Sequence, residues 1–205
     1  MHMLSLETPS GRRLPAGSRE ATMMFAFEHL TGDGQNRNCR GDDMNEQKFV
    51  VRTHEDGDIE WVVQRHAEIY RDEYGWGPKF VELVEEIAND FVRDYDARRE
   101  RLWIAEKDGV RIGCIMLVRH SDEIGQLRLL LVDPAARGLG VGQKLVDTCV
   151  NFARESGYTK VRLWTNDILV AARRLYEAAG FVLIEEEPHS SWGVPLVSQT
   201  WELSF

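Results

Sequence analysis

Leu129-Leu130-Leu131-Val132-Asp133-Pro134-Ala135-Ala136-Arg137-Gly138-Leu139-Gly140-Val141-Gly142-Gln143-Lys144-Leu145 is the stretch whose reading decides the fold. An apolar strand runs into Pro134, which has no N–H to continue a ladder. A basic residue and three alternating glycines follow, and they open into a segment carrying Val141, Leu145, Val146, Cys149, Val150 and Ala153. That spacing predicts a helix over 138–156, ended by Gly157. A strand–turn–helix of this kind suits an anion. The first helical turn leaves backbone N–H groups unpaired and adds the positive end of the macrodipole. Glycine permits positive φ and close approach of a pyrophosphate.

Glycine-rich phosphate loops come in several forms. A Walker loop ends in Gly-Lys-Ser/Thr, which Gly142-Gln143-Lys144 does not supply. A dinucleotide fingerprint needs Gly-x-Gly-x-x-Gly, and Gly138-x-Gly140-x-Gly142 has the wrong step. The pattern that remains is Arg-x-x-Gly-x-Gly, met by Arg137, Gly140 and Gly142.

Working outward, Phe49-Val50-Val51-Arg52 reads as a short strand, with Asp58 as the N-cap of a helix reaching about Tyr74. Gly75, Gly77 and Pro78 break that helix, and a second carries Phe80, Val84, Ile87, Ala88, Phe91 and Tyr95 on one face. Residues 101–107 and 110–119 form a hairpin about Asp108-Gly109. Strands are expected at 126–132, 160–165, 181–186 and 197–205, with a helix over 168–179 closed by Gly180. The order β-α-α-β-β-β-α-β-α-β-β is a mixed α/β layout with helices packed on a sheet.

The chain has 205 residues and a formal net charge of −9, which disfavours a general partnership with nucleic acid. No apolar run approaches the ~20 residues of a membrane span. Cys39, Cys114 and Cys149 are widely spaced and include no Cys-x-x-Cys pair, so neither a metal site nor a disulfide framework is indicated. Small buried thiols and no secretory signal point to a cytoplasmic location. Residues 1–45 read as a poorly ordered extension and 46–205 as the functional domain, with Met44 as a candidate natural start.

The glycine loop, together with Trp164-Thr165-Asn166-Asp167 and Ala171-Ala172-Arg173-Arg174-Leu175-Tyr176-Glu177-Ala178-Ala179-Gly180-Phe181, resembles the GNAT superfamily of acyl-CoA-dependent N-acyltransferases over about residues 48–205. Tyr74-Gly75-Trp76, Trp103-Ile104-Ala105-Glu106 and the segment from Trp192-Gly193 to Leu203 are similar to the acetyltransferase halves of MarR-type fusions. The resemblance implies a central mixed sheet of about six to seven strands with helices on both faces. It implies acetyl-CoA as cosubstrate, an amine acceptor and direct transfer in a ternary complex, with no metal. A non-catalytic CoA-binding module is the alternative from another class.

On that resemblance, Arg137, Gly138, Leu139, Gly140, Val141, Gly142 and Gln143 cradle the pyrophosphate, and Leu130, Leu131 and Val132 line the pantetheine arm. Asn166, Ala171 and Arg173 also contact the cofactor, and Tyr176 is the general acid for the departing thiolate. Tyr74, Trp76 and Trp192 shape the acceptor pocket. Many relatives carry a Glu on the strand before the loop; here that strand reads Gln126-Leu127-Arg128-Leu129. Candidate bases are Glu73, His120, Glu123 and His189. Trp201 and Phe205 on the last strand offer an edge for a homodimer.

Overall fold

The glycine turn sits at the end of the fourth of seven strands, where that strand parts from its parallel neighbour. The computed structural model describes residues 49–205; the expectations for residues 1–45, Cys39 among them, lie outside the described residues. The elements are β1 (Val50–Thr53), α1 (Asp58–Tyr74), α2 (Pro78–Asp94), β2 (Arg101–Lys107), β3 (Val110–Arg119) and β4 (Ile124–Val132). They continue with a 3-10 turn (Pro134–Ala136), α3 (Val141–Glu155), β5 (Lys160–Asn166), α4 (Val170–Ala178), β6 (Val182–His189) and β7 (Leu196–Ser204). The order of elements is the one expected from sequence. The strands form one mixed sheet, β1-β2-β3-β4-β5-β7-β6, in which only β4 and β5 run parallel.

Strand alternation feeds two cores. On β2, Trp103 and Ala105 face α3, where Val141, Leu145, Val146, Cys149 and Ala153 are buried. Leu102 and Ile104 face the other way, onto Val62 and Ile69 of α1 and Phe91 of α2. Each such side chain contributes about 1.5–3 kcal/mol on burial, so helices hold both faces of the sheet.

Several boundaries moved for physical reasons. Asp58 does not cap α1: Gly57 does, and the Asp58 carboxylate is fully buried between Arg52 (2.6 Å) and Arg111 (2.6 Å). Helix α3 begins at Val141 rather than Gly138, because Gly138 and Gly140 have φ of 80° and 83°. The intervening residues form the Pro134–Ala136 turn, whose start is capped by the Asp133 side chain on the Ala135 N–H. His189 ends β6 instead of lying in a loop. The last strand, β7, is ladder-paired on both sides, to β5 and β6, and Trp201 is buried. A dimer formed by pairing along that strand is therefore unavailable.

One distortion positions the site. Leu129 has φ 50°, a strained value for a residue with a branched side chain, and the β3–β4 register shifts beside it. The β4–β5 ladder ends at Leu127 opposite Leu163, while β5 continues against β7 as far as Asn166. A cleft opens between residues 128–132 of β4 and the end of β5.

Candidate active site

The cleft contains two connected spaces. The first is a groove of about 410 Å³ over the glycine turn. Leu130, Leu131 and Val132 form one wall, Arg137 to Gln143 the floor, Ile69, Tyr70 and Tyr74 of α1 a second wall, and Ala171, Ala172 and Leu175 of α4 a third. Leu139 is absent from the lining and packs against the core instead.

The groove fits a bound pyrophosphate. Helix α3 starts with no side-chain cap, so its first-turn N–H groups have no side-chain partner. A Cβ on Gly138 or Gly140 would meet nothing within 4 Å, but the backbone there is left-handed, so glycine keeps the turn's shape. Gly142 serves another purpose: a Cβ there would lie 2.6 Å from Leu175 Cδ1, so this glycine lets α3 approach α4. Helix α1 braces the turn through Arg65 on Asp133 (2.7 Å) and Glu73 on Arg137 (2.7 Å).

The second space is a compact cavity of about 90 Å³, walled by His66, Tyr70, Trp76, Phe80, Arg128, Asn166, Tyr176 and Trp192 among others. It shares Tyr70, Leu130, Leu169 and Ala172 with the groove, so the two meet. Trp76 and Trp192 stack at 4.2 Å between ring centroids, with Phe80 against both. These rings come from a helix corner and the β6–β7 loop, joined by the Gly77 N–H donating to the Trp192 carbonyl.

Polar groups in this cavity are few and deeply set. Tyr176 is buried, which pushes its phenol well above the usual tyrosine range, so it stays protonated. Asn166 is buried, and its Oδ1 accepts from His189 Nε2 at 2.7 Å. The Ser191 N–H donates to His189 Nδ1, which assigns the ring proton to Nε2. His66 Nδ1 donates to the Val62 carbonyl at 2.8 Å, so Nε2 is a bare acceptor, and it has no partner among the described residues. Burial lowers the His66 pKa to about 4.

The expected site residues fall into place unevenly. Trp76, Trp192, Asn166 and Tyr176 line the cavity together; Tyr74 lines the groove instead. Arg173 lines neither space, because its guanidinium donates to the Asp167 carbonyl (2.9 Å). The Asn166 side chain holds His189 rather than capping α4. Among the candidate bases, His120 and Glu123 lie in the β3–β4 turn, at the opposite end of β4 from the glycine loop. Glu73 is bound to Arg137, and His189 stands behind Asn166. Cys114 and Cys149 are fully buried with raised pKa values, so neither offers a reactive thiol. Sequence reasoning missed His66 and Arg128 as wall residues. His66 follows Val62 by four and precedes Ile69 by three, so the helical period placed it on the buried face.

The acetyltransferase (GNAT) family matches the chain over residues 63–181. A mycothiol acetyltransferase of Thermomonospora curvata is 34% identical over 58% of this chain and 44% of its own length. The chain thus spans under half the length of that curated relative. An uncharacterized N-acetyltransferase of Schizosaccharomyces pombe is 29% identical over 65% of this chain and 80% of its own. The fold is shared with yncA of Salmonella typhimurium, solved with its cofactor acetyl-CoA, at a TM-score of 0.58 and 19% identity over 76% of this chain and 93% of that one. The family match covers more than half of the sequence and includes the glycine turn and Tyr176, and the chain belongs to the acetyltransferase (GNAT) family.

Proposed function

We propose that this protein moves the acetyl group of acetyl-CoA to a primary amine. The observation that carries the reading is the junction of the two spaces: the groove over the glycine turn runs into the cavity holding Tyr176 and Asn166. Family membership supports it, as do the relatives named N-acetyltransferases.

Bound acetyl-CoA supplies an activated acyl group as a thioester. The chain's own groups do the rest. The α3 N-terminus and Arg137 hold the pyrophosphate by charge-assisted hydrogen bonds. The β4 cleft orients the acyl end beside the cavity, and holding both reactants there saves much of the entropic barrier. As the N–C bond forms and the C–S bond breaks, the Tyr176 hydroxyl donates to the departing sulfur. A phenol raised by burial keeps its proton, so this help is a hydrogen bond to a thiolate that is already a fair leaving group at pKa about 8.5. The amine proton leaves to water, and the bare Nε2 of His66 is the one imidazole acceptor in the cavity wall among the described residues.

We take the transferase unit as residues 46–205, working in the cytoplasm; the likeness to MarR-type fusion halves rests on the sequence segments alone. None of the four helices is long and apolar enough to cross a membrane among the described residues.

Calorimetric titration with acetyl-CoA, followed by a panel of amines, tests the reading. Binding, with turnover that drops about 10²- to 10⁴-fold in Tyr176→Phe at unchanged acetyl-CoA affinity, is expected. Binding with no amine ever acetylated makes the protein a CoA-responsive module instead. Absence of binding by the folded protein overturns both.

A further inference from the structure

Arg128 occupies the β4 position next to the Leu129 distortion, just past the last rung of the β4–β5 ladder. It is half-buried and lines the acceptor cavity. Other half-buried arginines have acceptors: Arg52 and Arg111 share Asp58, Arg65 holds Asp133 and Arg162 holds Glu202, while Arg99, Arg101 and Arg173 donate to backbone carbonyls. Arg128 has no hydrogen bond or ion pair among the described residues. Desolvation lowers its pKa, and the exposed Glu86 on α2 acts on it only through space. It remains cationic, since a guanidinium starts above 12. A partly desolvated cation without a counter-ion is costly unless an anion is to arrive.

The rest of the cavity defines what accompanies that anion. Trp76, Phe80 and Trp192 form a packed aromatic wall, with neighbouring centroids 4.2–5.2 Å apart. His66 is neutral, so Arg128 is the only charged group among the described residues of the lining. The space of about 90 Å³ admits a single apolar side chain. We propose that the acceptor is an amine that also bears a carboxylate, a free apolar amino acid in its simplest form, with Arg128 anchoring the carboxylate and the aromatic wall holding the apolar body. This rests on the acetyltransferase reading above and names its substrate class.

The test compares amino acids with their decarboxylated counterparts: L-phenylalanine with 2-phenylethylamine, and L-leucine with 3-methylbutylamine. In the wild type, kcat/KM for each acid should exceed that for its amine by about 10- to 100-fold, the range of a charge-assisted hydrogen bond. Arg128→Gln should collapse that ratio by the same factor, mainly through the KM of the acid, and Arg128→Lys should recover part of it. Equal use of acid and amine by the wild type, or an equal loss for both in Arg128→Gln, overturns the proposal. Calorimetry of the CoA-saturated protein with each acid gives a turnover-independent reading: binding weakened in Arg128→Gln supports the anchor, and no binding to the wild type overturns it. Failure of acetyl-CoA itself to bind is a different result and strikes the acetyltransferase reading.

Discussion

The donor groove is built mostly from one continuous stretch, residues 130–143, with α1 and α4 laid beside it. The acceptor cavity draws on β4, β5, α1, α2, α4 and the β6–β7 loop. The groove has largely apolar walls and is open at its floor, which carries the start of α3 and the Arg137–Glu73 pair. The cavity is aromatic, small and nearly without charge. A local motif can form the first almost by itself, because the strand, the turn glycines and the helix start are consecutive in the chain. The second exists only once the sheet is assembled and Trp76 meets Trp192 from the far side of the sequence.

The strongest way to break this contrast is to damage the groove and leave the cavity standing. Gly140→Val forces a β-branched residue to φ 83° in open space and should unseat the turn that presents the α3 N–H groups. Losing two or more charge-assisted hydrogen bonds corresponds to a fall of about a thousandfold in acetyl-CoA affinity. Gly142→Val acts differently, because its side chain collides with the end of the Leu175 side chain, which must turn aside and disturb the packing of α3 on α4. It should lower the thermal midpoint as well as affinity, whereas Gly140→Val should affect the midpoint much less. Calorimetry and thermal unfolding of the pair decide this; equal destabilisation by both would show that the two glycines share one structural role.

That contrast also explains what was legible in the sequence. The order of strands and helices and the glycine turn followed from local patterns, and the family resemblance put Asn166 at the end of β5. What was not legible came from long-range pairing. Asp58 looked like a helix cap because its partners, Arg52 and Arg111, lie on two strands that only the fold brings to it. Arg173 sits in a familiar stretch, yet its rotamer turns it to a carbonyl. Arg128 read as a missing carboxylate, and only the cavity shows it as an unpaired cation. His66 went unread although the helical period puts it on the buried face, and nothing local said that Nε2 would be left without a partner among the described residues.

A second, smaller effect should appear on the cavity side alone. The folded-state pKa of His66 is about 4, against about 6.5 in the unfolded chain, so the unfolded state takes up the proton first on acidification. Stability should therefore fall as pH drops from about 6.5 to 4, by about 3 kcal/mol in total from this residue, and then level off. Asp58 contributes in a separate window. Burial alone would raise its pKa, but hydrogen bonds from Arg52, the Glu55 N–H and Arg111 hold it below the ordinary value. Its stabilisation is lost only as pH falls below about 4. Denaturant unfolding at pH 7, 6, 5 and 4 should show the first slope in the wild type and a flattened one in His66→Gln. An unchanged slope in the variant would mean that the ring takes up its proton as readily in the fold as in the unfolded chain.

The smallest effect concerns the more exposed of the two ion pairs that tie α1 to the glycine turn. Arg137 lies 2.7 Å from Glu73, with both side chains partly open to water, so the pair itself contributes little to stability, about 0–1 kcal/mol. Its consequence is competition. An incoming pyrophosphate must draw Arg137 away from Glu73 or share it, and the carboxylate also repels the ligand. Glu73→Gln removes both penalties and should tighten acetyl-CoA binding by about two- to fivefold at low ionic strength. The gain should fade near 1 M salt, where the screening length shrinks to about 3 Å. Weaker binding in Glu73→Gln would carry the opposite meaning: the carboxylate would then be holding the guanidinium in the orientation that the phosphates need, and α1 would belong to the donor groove as a positioning element instead of a competitor at its edge.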